Sequence, residues 1–137
     1  MCICLISSLS ACTIKSDKKI SDKKINSRKT AYEEYLKETY PDETFKVEVW
    51  QEYKKTIGGA GLPDYEGYVY KWVITDKDGN RFKIWGDSKD SYYDDYQKVL
   101  DGEIYYNENG EHVYYDDNGD ILFVSDYWSD YEKYFEL

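Results

Sequence analysis

The spacing of apolar residues predicts a first helix that is followed by antiparallel strands. The apolar positions fall three and four residues apart, as on one face of a helix: Tyr32, Tyr35, Leu36 and Tyr40. Thr30 and Glu33 have the form of an N-terminal capping box, and Pro41 stops the pattern. We therefore expect a helix over residues 31–40.

Alternating and β-branched residues predict strands after that helix. Phe45, Val47 and Val49 alternate with polar residues, and residues 68–75 form an aromatic and β-branched run. A third short strand is expected around Phe82 and Ile84. The segment 76–80 should join the last two strands as a hairpin turn in which Gly79 supplies a positive φ. Residues 54–67 contain several glycines and are expected to form a long loop.

The second half of the folded part predicts a short helix and consecutive hairpins. The helix is expected over residues 92–100, with Ser91 as its cap and Gly102 as its stop. Residues 104–111 and 113–120 match in residue type, and each unit reads as a short strand followed by an Asn-Gly turn. A final strand over 121–124 and a third amphipathic helix over 127–135 would follow. The fold class expected is α+β, an N-terminal helix packed on an antiparallel meander.

The N-terminus has the features of a lipoprotein signal. Residues 2–9 are uncharged and mostly apolar, and they are too few to span a bilayer, which takes about 20 apolar residues. Leu9-Ser10-Ala11-Cys12 resembles the lipobox of small Gram-positive-type bacterial lipoproteins. The resemblance implies that residues 1–11 are removed and that Cys12 carries diacylglycerol and palmitate at the extracytoplasmic face of the membrane. An upstream start codon would supply the basic residues that normally precede such an apolar run.

Charge divides the remaining chain into two parts. Ser16–Ile20 is repeated without change as Ser21–Ile25, and residues 12–29 are expected to form an acylated, low-complexity tether. From Thr13 to Lys29 the net charge is +5, whereas residues 30–137, the expected single domain, carry −15. An acidic domain repels phosphate backbones, so nucleic-acid binding is disfavoured. The basic segment suits an anionic membrane surface.

Candidate catalytic chemistry is sparse. No cysteine follows Cys12, so the folded part has no thiol nucleophile, and its one histidine, His112, is expected on a strand surface. Carboxylates are abundant, but no pair stands out as a glycosidase site. The turns 76–80, 107–111 and 116–120 resemble half of a calcium loop, although tight turns favour the same residues. We expect no catalytic residue, cofactor or metal, with weak calcium binding as the alternative.

The aromatic content leaves a binding role open. Most of the 17 tyrosines fall at core spacing, and a possible ligand surface is assigned to four residues: Trp50, Tyr65, Tyr105 and Tyr114. Such rings suit sugars or protein partners. The first half of the domain resembles cystatin-like domains, and the hairpins resemble the tyrosine- and glycine-rich repeats of bacterial surface proteins. The function expected is a non-enzymatic binding or interaction module for an envelope protein or wall polymer. A small envelope hydrolase or inhibitor module is the alternative.

Overall fold

The computed structural model describes residues 13–15, 18–56 and 64–125, with the side chains at 13–15, 56, 65, 123 and 125 excepted. The α+β class is confirmed, with a helix packed on an antiparallel sheet and further hairpins after it. The elements are β1 Thr13–Lys15, α1 Asp22–Thr39, β2 Phe45–Thr56, β3 Asp64–Asp76, β4 Arg81–Phe82, β5 Ile84–Trp85, β6 Tyr93–Asp94, α2 Tyr96–Leu100, β7 Tyr105–Tyr106, β8 His112–Tyr115 and β9 Ile121–Ser125. Among the described helices none is both long and apolar enough to cross a membrane.

The first helix begins earlier than its apolar spacing predicts. Its cap is Ser21, whose Oγ accepts the N–H of Lys24 at 3.3 Å, and Thr30 lies within the helix. The helix face packed on the sheet includes the half-buried Arg28, whose long aliphatic stem takes an apolar position in the pattern. The tether–domain boundary expected at residue 30 therefore falls inside α1.

Residues before α1 are also ordered against the sheet. β1 pairs in parallel with the start of β3, between Thr13 and Asp64 and between Lys15 and Glu66. Further along, the backbone N–H of Ile20 donates to Gln51 Oε1 at 2.7 Å, and Gln51 Nε2 donates back to the Ile20 carbonyl at 2.8 Å. The expected free tether therefore includes backbone that is hydrogen-bonded to the folded part.

The main sheet is built on a long hairpin of β2 and β3. Their antiparallel register runs from Phe45 opposite Asp76 to Thr56 opposite Tyr65. Residues 54–56 and 64–67, which were expected in a loop, are thus strand, because pairing with the opposite strand outweighs their local composition. β4 adds to β3 through Ile74 and Phe82. The core between α1 and this sheet is Tyr32, Leu36, Val47, Ile74, Phe82, Ile84 and Tyr96.

The second helix is shorter than expected. Residues 89–91 form a 3₁₀ turn, β6 pairs with β5, and α2 begins only at Tyr96. Asp94 holds the preceding segment extended, because its carboxylate accepts the hydroxyls of Tyr35 at 2.6 Å and Tyr40 at 2.9 Å. The expected stop is confirmed, since Gly102 follows the helix with φ +76°.

The consecutive hairpins are confirmed as a three-stranded sheet in the order β7-β8-β9. Their turns at 107–111 and 116–120 repeat the hydrogen bonds of the turn at 76–80, and Gly79 has φ +86° as expected. The helix expected over 127–135 lies outside the described residues.

Candidate functional site

Of the four residues expected to form a ligand surface, three have described side chains: Trp50 and Tyr105 lie in different sheets, and Tyr114 is buried. Trp50 is half-buried on β2, where its Nε1 donates to Glu52 at 3.1 Å. Tyr105 is 48 % exposed on β7, in another sheet, and its ring meets that of Tyr115 at 5.1 Å. The side chain of Tyr65 and the whole of Cys12 lie outside the described residues.

The prediction that Tyr114 is exposed is wrong: only 4 % of its surface is accessible to solvent. Although Tyr114 matches Tyr105 in the repeat, Tyr105 pairs with Val113, and the side chains of paired residues share one face of a sheet. Tyr114, the next residue, points to the opposite face because side chains alternate along a strand. The nine-residue repeat therefore places its equivalent tyrosines on opposite faces.

The three acidic turns use their own oxygens internally. Asp76 Oδ1 accepts the N–H groups of Asp78 at 2.9 Å and Asn80 at 2.8 Å. Asn107 and Asp116 do the same for the residues two and four positions later. This turn chemistry accounts for the residue pattern. Within the described ranges no group of three or more His, Cys, Asp or Glu side chains could hold a metal ion.

His112 was wrongly expected on the surface. It is 2 % exposed on the central strand β8, and its ring stacks on Tyr114 at 4.2 Å. Burial disfavours the charged imidazolium and the nearby Lys83 cation repels it, so the pKa of His112 is lowered to about 4. The histidine is therefore neutral at neutral pH.

Lys83 is buried beside aromatic rings of β3 and β5. The Nζ of Lys83 lies 4.2 Å from the ring centroid of Trp72 and 5.3 Å from that of Trp85. Burial, with the Lys71 cation nearby, lowers the pKa of Lys83 to about 7. The Asp95 carboxylate accepts the backbone N–H of Lys83 at 2.8 Å and the Tyr106 hydroxyl at 2.5 Å.

The cavity beside Lys83 has a volume of about 40 Å³, which admits a water molecule but no drug-sized ligand. The Lys83 cluster is therefore best understood as structural.

A larger, open recess lies between the N-terminal half of α1 and β3. It consists of two adjoining parts of about 610 and 490 Å³, which share Ser21, Lys24 and Tyr70. We call it the basic groove. Its cations are Lys18, Lys19, Lys23, Lys24 and Arg28, and its rings are Tyr68, Tyr70 and Tyr92.

Two of the cations are held over rings of the groove. The Arg28 guanidinium carbon lies 4.0 Å from the Tyr70 ring centroid, and Lys19 Nζ lies 6.0 Å from that of Tyr68. Arg28 also donates to the Tyr32 hydroxyl at 3.3 Å. The guanidinium is thereby positioned on the groove wall, while Lys18, Lys23 and Lys24 are exposed.

The groove is electrostatically unusual for an acidic protein. In the part of the chain that the structure describes, no acidic side chain forms an ion pair with its five cations. The positive N-terminal end of the α1 dipole lies beside the same groove. No described acidic residue lines either part of the groove, so an anion placed there would meet a local excess of positive charge.

The charge of this segment is visible in the sequence, but the shape of the groove is not. The lysines of the repeated pentad were assigned to a tether, so no recess was expected around them. The missing signal was the start of α1, because Ser21 caps a helix that carries Lys23, Lys24 and Arg28 on folded structure. Tyr68 and Tyr70 were assigned only to a strand.

A second cavity, of about 230 Å³, lies between the C-terminal half of α1 and the start of β2. Glu33 and Glu43 both line it, together with Lys37 and the apolar side chains of Leu36 and Phe45. Two carboxylates beside one cavity are the minimum that a glycosidase requires.

No protein-family model, no curated protein and no solved structure matches this chain.

Proposed function

We propose that the protein is a lipid-anchored, non-enzymatic binding module of the cell surface, held through Cys12 and binding an anionic partner in the basic groove. The observation that carries the proposal is the groove itself, in which five cations without an acidic partner among the described residues surround an open recess. The anchor rests on the resemblance of residues 9–12 to a lipobox.

The anchor and the groove fit together in distance. Lys18 follows Cys12 by six residues, a length of chain that spans at most ~20 Å. An acyl group on Cys12 would therefore keep the groove close to the membrane. The acidic remainder of the domain, at −15 over residues 30–137, would be repelled by the anionic surface. The acyl anchor and this repulsion would together turn the basic end of the molecule towards the membrane.

Metabolic labelling with a fatty-acid probe tests the anchor. The native chain is expected to take up the label and to remain with the membrane fraction, because two acyl chains anchor stably. Cys12→Ala is expected to lose the label and to be released. Cys4→Ala, which alters a cysteine outside the lipobox, is the matched control and should stay labelled. Label that persists in Cys12→Ala contradicts the anchor.

The cavity beside Glu33 and Glu43 favours one second candidate, a small envelope hydrolase. On that hypothesis the purified chain would cleave a soluble wall glycan, and Glu33→Gln or Glu43→Gln would each abolish cleavage because both carboxylates act. On the binding-module proposal no cleavage occurs with any of the three proteins. Cleavage that both variants abolish would replace the proposed function.

A further inference from the structure

We infer that the basic groove binds an acidic glycan, meaning a chain of sugar units that carries phosphate or carboxylate groups. This inference rests on the proposed function and names the class of its partner. Shape, charge, helix energetics and aromatic lining each contribute to it.

The shape of the groove favours a chain over a single ion. Its two parts adjoin through Ser21, Lys24 and Tyr70 and run beside the first turns of α1. Their volumes of about 610 and 490 Å³ exceed what one small anion fills. An extended polymer can follow the groove.

The cations of the groove form no ion pairs with described acidic residues, so their charge can be neutralised by an external anion. Elsewhere lysines pair with acids, as Lys46 does with Glu48 at 3.1 Å and Lys89 does with Glu34 at 3.3 Å. Around the groove no described acid forms such a pair, although the chain has 28 acidic residues. Asp22 lies in the first turn of α1, but it does not line the groove, and the described lining keeps five cations and no acid.

The cations are placed against the stability of their helix. Cations near a helix N-terminus are unfavourable because the helix dipole is positive there. Lys24 and Arg28 lie four residues apart, a spacing at which like charges repel on a helix. A first turn selected for stability alone would carry acids, and not cations, at Lys23 and Lys24. Residues that oppose local stability are characteristic of functional sites.

The rings of the groove favour sugars among anionic chains. Tyr68, Tyr70 and Tyr92 are half-buried in its lining. Arg28 covers one face of Tyr70, and Lys19 lies over Tyr68. The parts of these rings that stay exposed can pack against the apolar faces of pyranose rings, whereas a simple polyanion offers them nothing. Lys and Arg bind phosphate and carboxylate alike, so either group satisfies the cations.

The binding experiment uses the full chain carrying Cys12→Ala, so that no acyl group adds affinity for membranes. The probes are polygalacturonate, phosphorylated mannan, unmodified mannan, polyglutamate and vesicles containing phosphatidylglycerol. We expect the two acidic glycans to bind in a salt-dependent manner. Unmodified mannan lacks the charge and polyglutamate lacks the sugar rings, so both should bind at least ~10-fold more weakly.

Charge reversal locates the binding site. In the same background, Lys23→Glu with Lys24→Glu is expected to weaken binding of the acidic glycans by ~10-fold or more, without lowering the unfolding temperature. The control, Lys46→Glu with Lys77→Glu, changes the net charge equally at exposed lysines that line neither the groove nor the cavity beside Glu33 and Glu43. It should leave the binding constant within about two-fold of the parent value.

Each contrary result has a separate meaning. Equal binding of polyglutamate, or binding of vesicles without binding of glycans, overturns the glycan inference while the groove remains an anion site. If both double variants lose binding equally, or if no anionic probe binds, the groove is not the binding site. The proposed function then loses its support.

Discussion

Replacing Gly110 with alanine is expected to destabilise the fold by about 3 kcal/mol or more, since backbone strain and a hard clash combine. Gly110 has φ +71°, and a Cβ there would lie 2.5 Å from the Trp72 carbonyl oxygen and 3.2 Å from Lys83 Cε. The turn at 107–111 must therefore move away from β3. Urea unfolding of the variant and the native chain measures the difference.

Gly79→Ala is the matched control for this prediction. Gly79 occupies the equivalent position of its turn, with φ +86°, and a Cβ there meets nothing within 4 Å. Its substitution carries only the strain of positive φ, about 1 kcal/mol. Equal destabilisation by the two alanines would mean that the β7–β8 turn is not docked on β3, and the placement of Lys83 beneath that turn would then be wrong.

Acid is expected to destabilise the native chain through His112. In the folded state its pKa is lowered to about 4 from an ordinary value of 6.5, so protonation favours unfolding. This stability is present above pH 6.5 and is lost as the pH falls towards 4. Between pH 7.5 and pH 4.5, protonation of His112 is expected to lower the free energy of unfolding by about 2.5 kcal/mol. Urea unfolding at the two pH values measures it.

His112→Phe isolates the histidine from the carboxylates, which titrate in both proteins. The variant keeps a ring between Tyr106 and Tyr114 but has no proton to gain. Its loss of stability between the two pH values should be smaller than that of the native chain by about 2.5 kcal/mol. An identical loss would contradict the buried placement of His112.

Local sequence signals predicted the parts of the fold that local physics determines. The Asp-x-Asp-Gly-Asn turn at 76–80 and the two Asn-Gly turns were predictable, because Gly and Asx residues satisfy those backbones directly. The extent of α1 was not, because Arg28 interrupts the apolar pattern and its stem is buried by the sheet. The lengths of β2 and β3 depend on pairing between them, which composition does not encode.

The candidate site was predictable only in its charge. Five lysines and arginines in residues 18–28 are visible in the sequence, but the recess requires α1 to start at Asp22 and β3 to present Tyr68 and Tyr70 beside it. Tyr114 and His112 were misplaced for the same kind of reason. Both lie on β8, whose position between two strands and against the Lys83 cluster is a tertiary property.

Titration of the isotope-labelled Cys12→Ala chain with polygalacturonate, followed by amide NMR, shows which residues the bound polymer contacts. If the basic groove binds the polymer, chemical shifts change at residues 18–28 and at Tyr68 and Tyr70, while those of β7, β8 and β9 stay constant. Changes centred on the exposed Tyr105 and Tyr115, or no changes at saturating polymer, would contradict it.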